Sequence, residues 1–237
     1  MSILLVDEGN TRAKFGLVDK TATSFNVKIL SFDELAQNKI TEVIFASVKS
    51  ADNSILKQVA KMLPNANIKQ LQTQANAFGL KNAYQVVNRL GVDRWLAMLG
   101  SKTLTSNAFM VIDAGTAVTI DAVTAQGQHL GGWILPNVTF SAQSLAKRSG
   151  KIELTDKYNP AINLGNITER CIFNGLYASH IALVKSLAQD LTTKYQKVDI
   201  FLAGGDCDIY QTLLKSQKIQ AKIETNLIFK GMGLFIN

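Results

Sequence analysis

Two short segments with nearly the same residue order lie 106 positions apart, counted from Asp7 to Asp113, and constrain this chain more than any other feature. The first reads Val6-Asp7-Glu8-Gly9-Asn10-Thr11-Arg12-Ala13-Lys14, the second Ile112-Asp113-Ala114-Gly115-Thr116-Ala117-Val118-Thr119. In each, an Asp closes an apolar run, Gly and a hydroxyl residue follow, and a second strand-like run begins. The pattern predicts two β-hairpins whose turns carry a carboxylate and expose backbone N–H groups beside hydroxyls. Glycine lets the backbone approach anionic oxygens, and the Asp holds a hydrated Mg²⁺ rather than the anion itself. Facing each other across a cleft, two such turns would make a phosphotransferase site.

Periodicity places strands at 3–7, 14–18, 27–30 and 42–48, a helix near 51–62 and a strand near 67–72. A helix over 88–104 follows from Val92, Trp95, Leu96 and Leu99, which obey the i, i+3, i+4, i+7 rule. The second half repeats this order: strands at 109–113, 117–124 and 129–135, then helices near 138–148 and 167–190. Asn166 and Glu169 have the spacing of a capping box for the long helix. A strand at 197–202, a Gly204-Gly205 turn, a helix over 206–215, a strand near 218–224 and a helix at 227–236 complete the pattern. Each half therefore runs strands first and helices after, an internal duplication too long for a solenoid repeat. With three prolines and no Gly/Ser linker, the expected division is two packed lobes, 1–106 and 107–237.

Composition narrows the function classes. At 237 residues and 47% hydrophobic content the chain can bury one large core or two modest ones. No apolar stretch reaches the ~18–20 residues that span a bilayer, and Ser2–Val6, cut off at Asp7, reads as a first strand rather than a signal peptide. Two cysteines and two histidines at no metal-ligand spacing argue against a zinc site or a disulfide framework, and a cytoplasmic protein is expected. The formal charge of +7 is scattered, with no basic run of five or more, so no nucleic-acid partner is expected. The same charge suits an anionic small substrate or a nucleotide. Neither the Walker G-x-x-x-x-G-K-[ST] nor a Rossmann fingerprint is present, so a phosphate site must be built by the hairpin turns.

The ordered set Asp7-x-Gly-Asn-Thr-x-x-Lys14, Leu90-Gly91-Val92-Asp93-Arg94-Trp95, Asp113-x-Gly-Thr116, Gly131-Gly132-Trp133-Ile134-Leu135-Pro136 and Gly204-Gly205-Asp206 resembles type III pantothenate kinase, from residue 3 to the C-terminus. The resemblance implies an α/β fold of the acetate/sugar kinase–Hsp70–actin type: duplicated actin/ribonuclease-H-like lobes, each a mixed sheet flanked by helices, with an ATP cleft between them. It also implies a homodimer and ATP-dependent phosphorylation of pantothenate to 4'-phosphopantothenate, with Mg²⁺ and a monovalent cation, K⁺ or NH₄⁺.

Residue by residue, the resemblance assigns Asp7, Glu8, Gly9, Asn10, Thr11, Arg12, Ala13 and Lys14 to the phosphate tail, with Asp7 also near Mg²⁺. Thr116, Gly204 and Gly205 fall at further ATP contacts and Asp113 at the monovalent-cation ligand. Tyr84, Gly91, Val92, Asp93 and Arg94 fall at the pantothenate site, as does Thr168, contributed across a subunit boundary. An alcohol attacking a phosphoryl group needs its proton accepted as the O–P bond forms, which makes Asp93 the expected general base. Arg94 offers a bidentate grip on the pantothenate carboxylate. Off the Val92/Trp95 stripe, this pair would otherwise read as charges on a solvated helix face. Ala97 and Gly100, one turn on, leave room for a close approach. Trp133 could stack on a ligand, and core packing is the preferred expectation.

The chain departs from the pattern at four places. Glu8 replaces an apolar residue, and either points outward or alters metal affinity. Val87 replaces a proline, Asn137 a glycine, whose left-handed conformation Asn tolerates, and Glu169-Arg170 an Arg-Asp pair. Two other functions compete: a kinase for another small hydroxylated metabolite, and an accessory transcriptional regulator with no need of the three aspartates.

Overall fold

The computed structural model describes residues 2–19, 25–49, 54–154 and 159–236. By packing, the chain divides into two compact units: Met1–Ser106 with Gln126–His129 and Asn226–Asn237, and Asn107–Ala125 with Leu130–Thr225.

In the first unit, β1 (Ser2–Glu8) and β2 (Ala13–Asp19) form the hairpin read from the sequence, followed by β3 (Lys28–Leu30), β4 (Ile40–Ser47), α1 (Ser54–Met62) and β5 (Asn67–Gln70). The start of the helix expected at 51–62 lies outside the described residues. The sheet runs β3-β2-β1-β4-β5, with β1 antiparallel to β2 and parallel to β4. As the central strand, β1 is covered on both faces, which is why it is an apolar run and not an alternating one. Leu4, Val6, Val43, Phe45 and Val59 share one core cluster. Two elements escaped the periodicity reading, β6 (Asn76–Ala77) and β7 (Leu80–Lys81), which are too short to show a period. The helix expected from 88 starts later, as α2 (Val92–Lys102), behind a single 3-10 turn at Val87–Arg89.

The second unit repeats the plan. β8 (Ala108–Ala114), β9 (Ala117–Val123), β10 (His129–Pro136), α3 (Val138–Ser149), α4 (Thr168–Tyr195), β11 (Val198–Ala203), α5 (Cys207–Ser216) and β12 (Lys222–Ile223) follow in order. The sheet order β10-β9-β8-β11-β12 matches the first sheet strand for strand. Its core combines Met110, Ile112, Val118 and Ile120 with Phe173, Tyr177, Ile181 and Val184 from α4 and Tyr210 and Leu214 from α5.

The last helix, α6 (Leu227–Gly233), belongs to the first unit. It explains Gly100. A Cβ there would collide with the Leu227 carbonyl oxygen, and one at Gly231 with the Leu96 carbonyl oxygen. The small residues beyond Asp93 thus admit a second helix backbone.

Three expectations are corrected. Trp133 is 40% exposed and Ile134 more so, because β10 is the edge strand of its sheet and these side chains lack cover among the described residues. Asn166 does not cap α4: the cap position is Ile167, with no side-chain bond to the helix. Asn137 is not left-handed but extended, at φ −59° and ψ 144°.

Candidate active site

The first hairpin turn is four residues long, closed by Gly9 N–H donating to the Arg12 carbonyl at 3.1 Å. Asn10, Thr11 and Arg12 are exposed at its tip, while Ala13 and Lys14 are half-buried on β2. Asp7 pairs in register with Lys14 and is 6% exposed. A Cβ on Gly9 would meet nothing nearer than the Arg12 oxygen at 3.4 Å, so the space beside this turn is open to a ligand. Glu8 does not point outward. It is 1% exposed, accepts a hydrogen bond from Ser47 Oγ at 2.9 Å and lies 3.7 Å from the Lys49 ammonium.

The same unit carries a second group. α2 is buried almost all round, so Arg94, only 7% exposed, does not lie on a solvated face. A buried guanidinium needs partners. Its Nη1 donates to the Tyr84 hydroxyl at 2.9 Å, and its plane lies 5.8 Å from the Tyr84 ring centre. Tyr84 is fixed in turn: its N–H donates to Asn82 Oδ1 at 2.9 Å, and His129 stacks on its ring at an interplanar angle of 10°. Asp93 is half-buried in the first turn of α2, where the peptide dipoles favour an anion, and its Oδ1 accepts from Arg94 N–H at 2.7 Å. Gly91, at the cap position, has no room for a side chain, since a Cβ would sit 2.5 Å from Asp93 Oδ1; Val92 is buried. The structure thus unites Tyr84, Gly91, Asp93 and Arg94, and adds His129, whose lone position in the sequence carried no signal.

In the second unit the turn is two residues long, with Gly115 N–H donating to the Ala117 carbonyl at 3.0 Å. Asp113 is half-buried and Thr116 exposed. Gly204, at φ +88°, presses against them: a Cβ would collide with the Ala114 carbonyl and lie 2.5 Å from Asp113 Oδ1. Asp206 N–H donates to the Ala114 oxygen at 3.0 Å. Asn137 links these pieces. Its Oδ1 caps α3 through Thr139 N–H, while its Nδ2 donates to the Gly115 carbonyl at 3.0 Å and Asp206 Oδ2 at 2.9 Å. Asp206 therefore serves Asn137 and not the helix it precedes. Thr168 stands exposed at the start of α4 and Gly205 is exposed. A cavity of about 550 Å³ between α4 and β11, lined by Lys185, Gln189, Val198 and Lys218 among others, holds none of these residues.

Asp7 and Asp113 offer carboxylate oxygens, the donor type that hard cations take. The described residues contain no group of three or more His, Cys, Asp or Glu placed to share a metal ion. Among the described residues no helix is long and apolar enough to cross a membrane.

Two units of matching strand order, each headed by an Asp-bearing hairpin, define the acetate/sugar kinase–Hsp70–actin class. A Sinorhizobium meliloti protein assigned as a 2-dehydro-3-deoxygalactonokinase shares the fold, at TM-score 0.58 and 12% identity over 98% of this chain and 97% of its own. So does a Campylobacter jejuni protein assigned to the Baf family of transcriptional activators, at TM-score 0.64 and 24% identity over 98% and 96%. The sequence profile of the type III pantothenate kinases matches residues 3–190, and the chain belongs to that family. Relatives include the type III pantothenate kinases of Pseudoalteromonas translucida, 35% identical over 97% of this chain and 94% of theirs, and Colwellia psychrerythraea, 29% identical over 97% and 98%.

Proposed function

We propose that the chain carries out the family's reaction, ATP-dependent phosphorylation of pantothenate at the start of coenzyme A synthesis, through the following division of roles. Asp93 accepts the proton of the pantothenate primary hydroxyl as its oxygen bonds to the γ-phosphorus and the bond to the β–γ bridging oxygen breaks, releasing ADP. Arg94 grips the pantothenate carboxylate, pre-aligned by Tyr84, so little side-chain freedom is lost on binding. Gly91 and Val92 shape the adjoining wall. The observation that carries this reading is the hydrogen bond from buried Arg94, next to Asp93 in the first turn of α2, to the half-buried Tyr84.

For the nucleotide, the turn from Gly9 through Asn10, Thr11, Arg12, Ala13 and Lys14 cradles the phosphate tail, Gly9 giving it room and the residues after it the donors. Asp7 orients the divalent ion, which when bound neutralises charge on the transferred phosphoryl. Thr116, Gly204 and Gly205 meet the remainder of ATP, and Asp113 holds a monovalent cation, K⁺ or NH₄⁺. Thr168 reaches pantothenate in a second copy of the chain, in a cytoplasmic homodimer. The exposed Ile134, Phe140 and Leu164 support an association surface on the second unit.

The test is ADP release from Mg·ATP with and without pantothenate, in K⁺ and then in Na⁺ buffer. Pantothenate-dependent turnover that needs K⁺ is expected, with the K⁺ requirement lost in Asp113→Asn. Asp93→Asn should lower kcat roughly 10²–10⁴-fold, about 3–5 kcal/mol of barrier, with an unchanged melting curve. Full activity in that variant would overturn the assignment.

A further inference from the structure

Strand alternation sends Leu4, Val6 and Glu8 of β1 to one face of the first sheet and Ile3, Leu5 and Asp7 to the other. Leu4 and Val6 enter the core cluster with Val43 and Phe45 of the parallel neighbour β4, whose next residue in that row is Ser47, in register with Glu8. An apolar column thus ends in a carboxylate that is 1% exposed. Three contacts close a ring around it. Ser47 Oγ donates to Glu8 Oε2 at 2.9 Å, Lys49 N–H donates to Ser47 Oγ at 3.1 Å, and Lys49 Nζ lies 3.7 Å from Oε1. The backbone seals the same spot, with Val48 N–H donating to the Glu8 carbonyl at 3.2 Å. Among the described residues Oε1 accepts no hydrogen bond, so Lys49 meets it as a charge and not as a donor.

A buried anion immediately before a turn that takes a polyphosphate is an electrostatic liability. In a poorly screened interior its field reaches the turn, and both ligand and side chain are negative. The Lys49 ammonium, 3.7 Å from Oε1 on a side chain that is 41% exposed, opposes that field at its source. We propose that Lys49 is a positioning residue of the nucleotide site: the counter-ion that makes a turn preceded by Glu8 competent to bind an anionic phosphate chain. The inference rests on the assignment of Gly9–Lys14 to the phosphates.

Opposite signs test it. The dissociation constant of Mg·ATP is measured calorimetrically on the full chain, for wild type, Lys49→Met, Glu8→Gln and the double variant, each with a melting curve. Lys49→Met should weaken binding by about tenfold, and Glu8→Gln, which removes the anion and keeps the cation, should tighten it by about threefold. The double variant should return to within about twofold of wild type. If Lys49→Met weakens binding equally with and without Glu8→Gln, Lys49 makes a direct phosphate contact or serves as scaffold, and the proposal is overturned. Should Lys49→Met fail to fold, Glu8→Gln still decides by sign: weaker binding overturns the proposal. A folded wild type that binds no Mg·ATP would overturn the nucleotide reading itself, whereas binding with the wrong signs sinks only the role of Lys49.

Discussion

The two Asp-headed hairpins head sheets of the same strand order and are held in opposite ways. The first turn spans four residues, stands open at Gly9, and is backed by charge, with Glu8 and Lys49 paired beneath it. The second spans two residues and is clamped by neutral groups: the Asn137 amide, the Asp206 N–H, and Gly204 lying against Ala114 and Asp113. An open turn can admit a ligand that must come close and carries several charges. A clamped turn fixes oxygen positions, which is what a bare cation of one size requires. The same strand order occurs twice, and the residues behind each turn set what it is fit for.

The sharpest way to break this comparison is to give both regions the same insult. Gly204→Ala forces a side chain into φ +88° and against a carbonyl, and should cost about 2–4 kcal/mol of stability by urea unfolding. Gly9→Ala meets only ordinary contact and should cost under about 1 kcal/mol, while ATP binding falls because the ligand loses its approach. Equal stability losses would erase the distinction. Next in size, Asn137→Ala removes a helix cap and two bridging bonds at once, an expected loss of about 1–3 kcal/mol accompanied by a weaker K⁺ response. The smallest effect concerns acid. His180, buried in the second unit, shares a 2.6 Å hydrogen bond with the Tyr210 hydroxyl. Burial holds its pKa below the ordinary 6.5. The unfolded chain therefore binds this proton more readily, and the His180 contribution, complete above the unfolded value, is lost as pH falls from about 6.5. Melting temperatures at pH 7.5 and 5.5 should differ more for wild type than for His180→Gln.

Much of this was legible in the chain because it is local. Strands such as Ser2–Glu8 and Ala108–Ala114 are apolar runs ended by Asp-Gly chemistry, and the i, i+3, i+4 stripe of α2 names its own helix. The rest depends on partners far along the chain. Gly100 read as room for a close approach, and nothing near it in sequence announces that Gly231 is what approaches. Asn137 was weighed for the glycine it displaces, whereas its use is set by Gly115 and Asp206, 22 and 69 residues away. Arg94 is buried with its guanidinium on Tyr84, ten residues upstream, and periodicity on one helix does not reveal that contact. Trp133 misled for the converse reason: an apolar strand at a sheet edge reads like one at its centre.

The crossing of Gly100 and Gly231 also dictates a timetable. The helix bearing Asp93 and Arg94 is complete by residue 102, yet the backbone that packs against it is α6, the last helix of the chain. During synthesis the first unit must wait, with α2 lacking that cover, while the second unit, Asn107–Ala125 and Leu130–Thr225, is made and begins to fold. Contacts of such long sequence separation form late and slowly. Trimming the final turn of α6 would thus reach the helix that carries Asp93 as a delay in its maturation, visible first as chaperone dependence and aggregation of nascent chains.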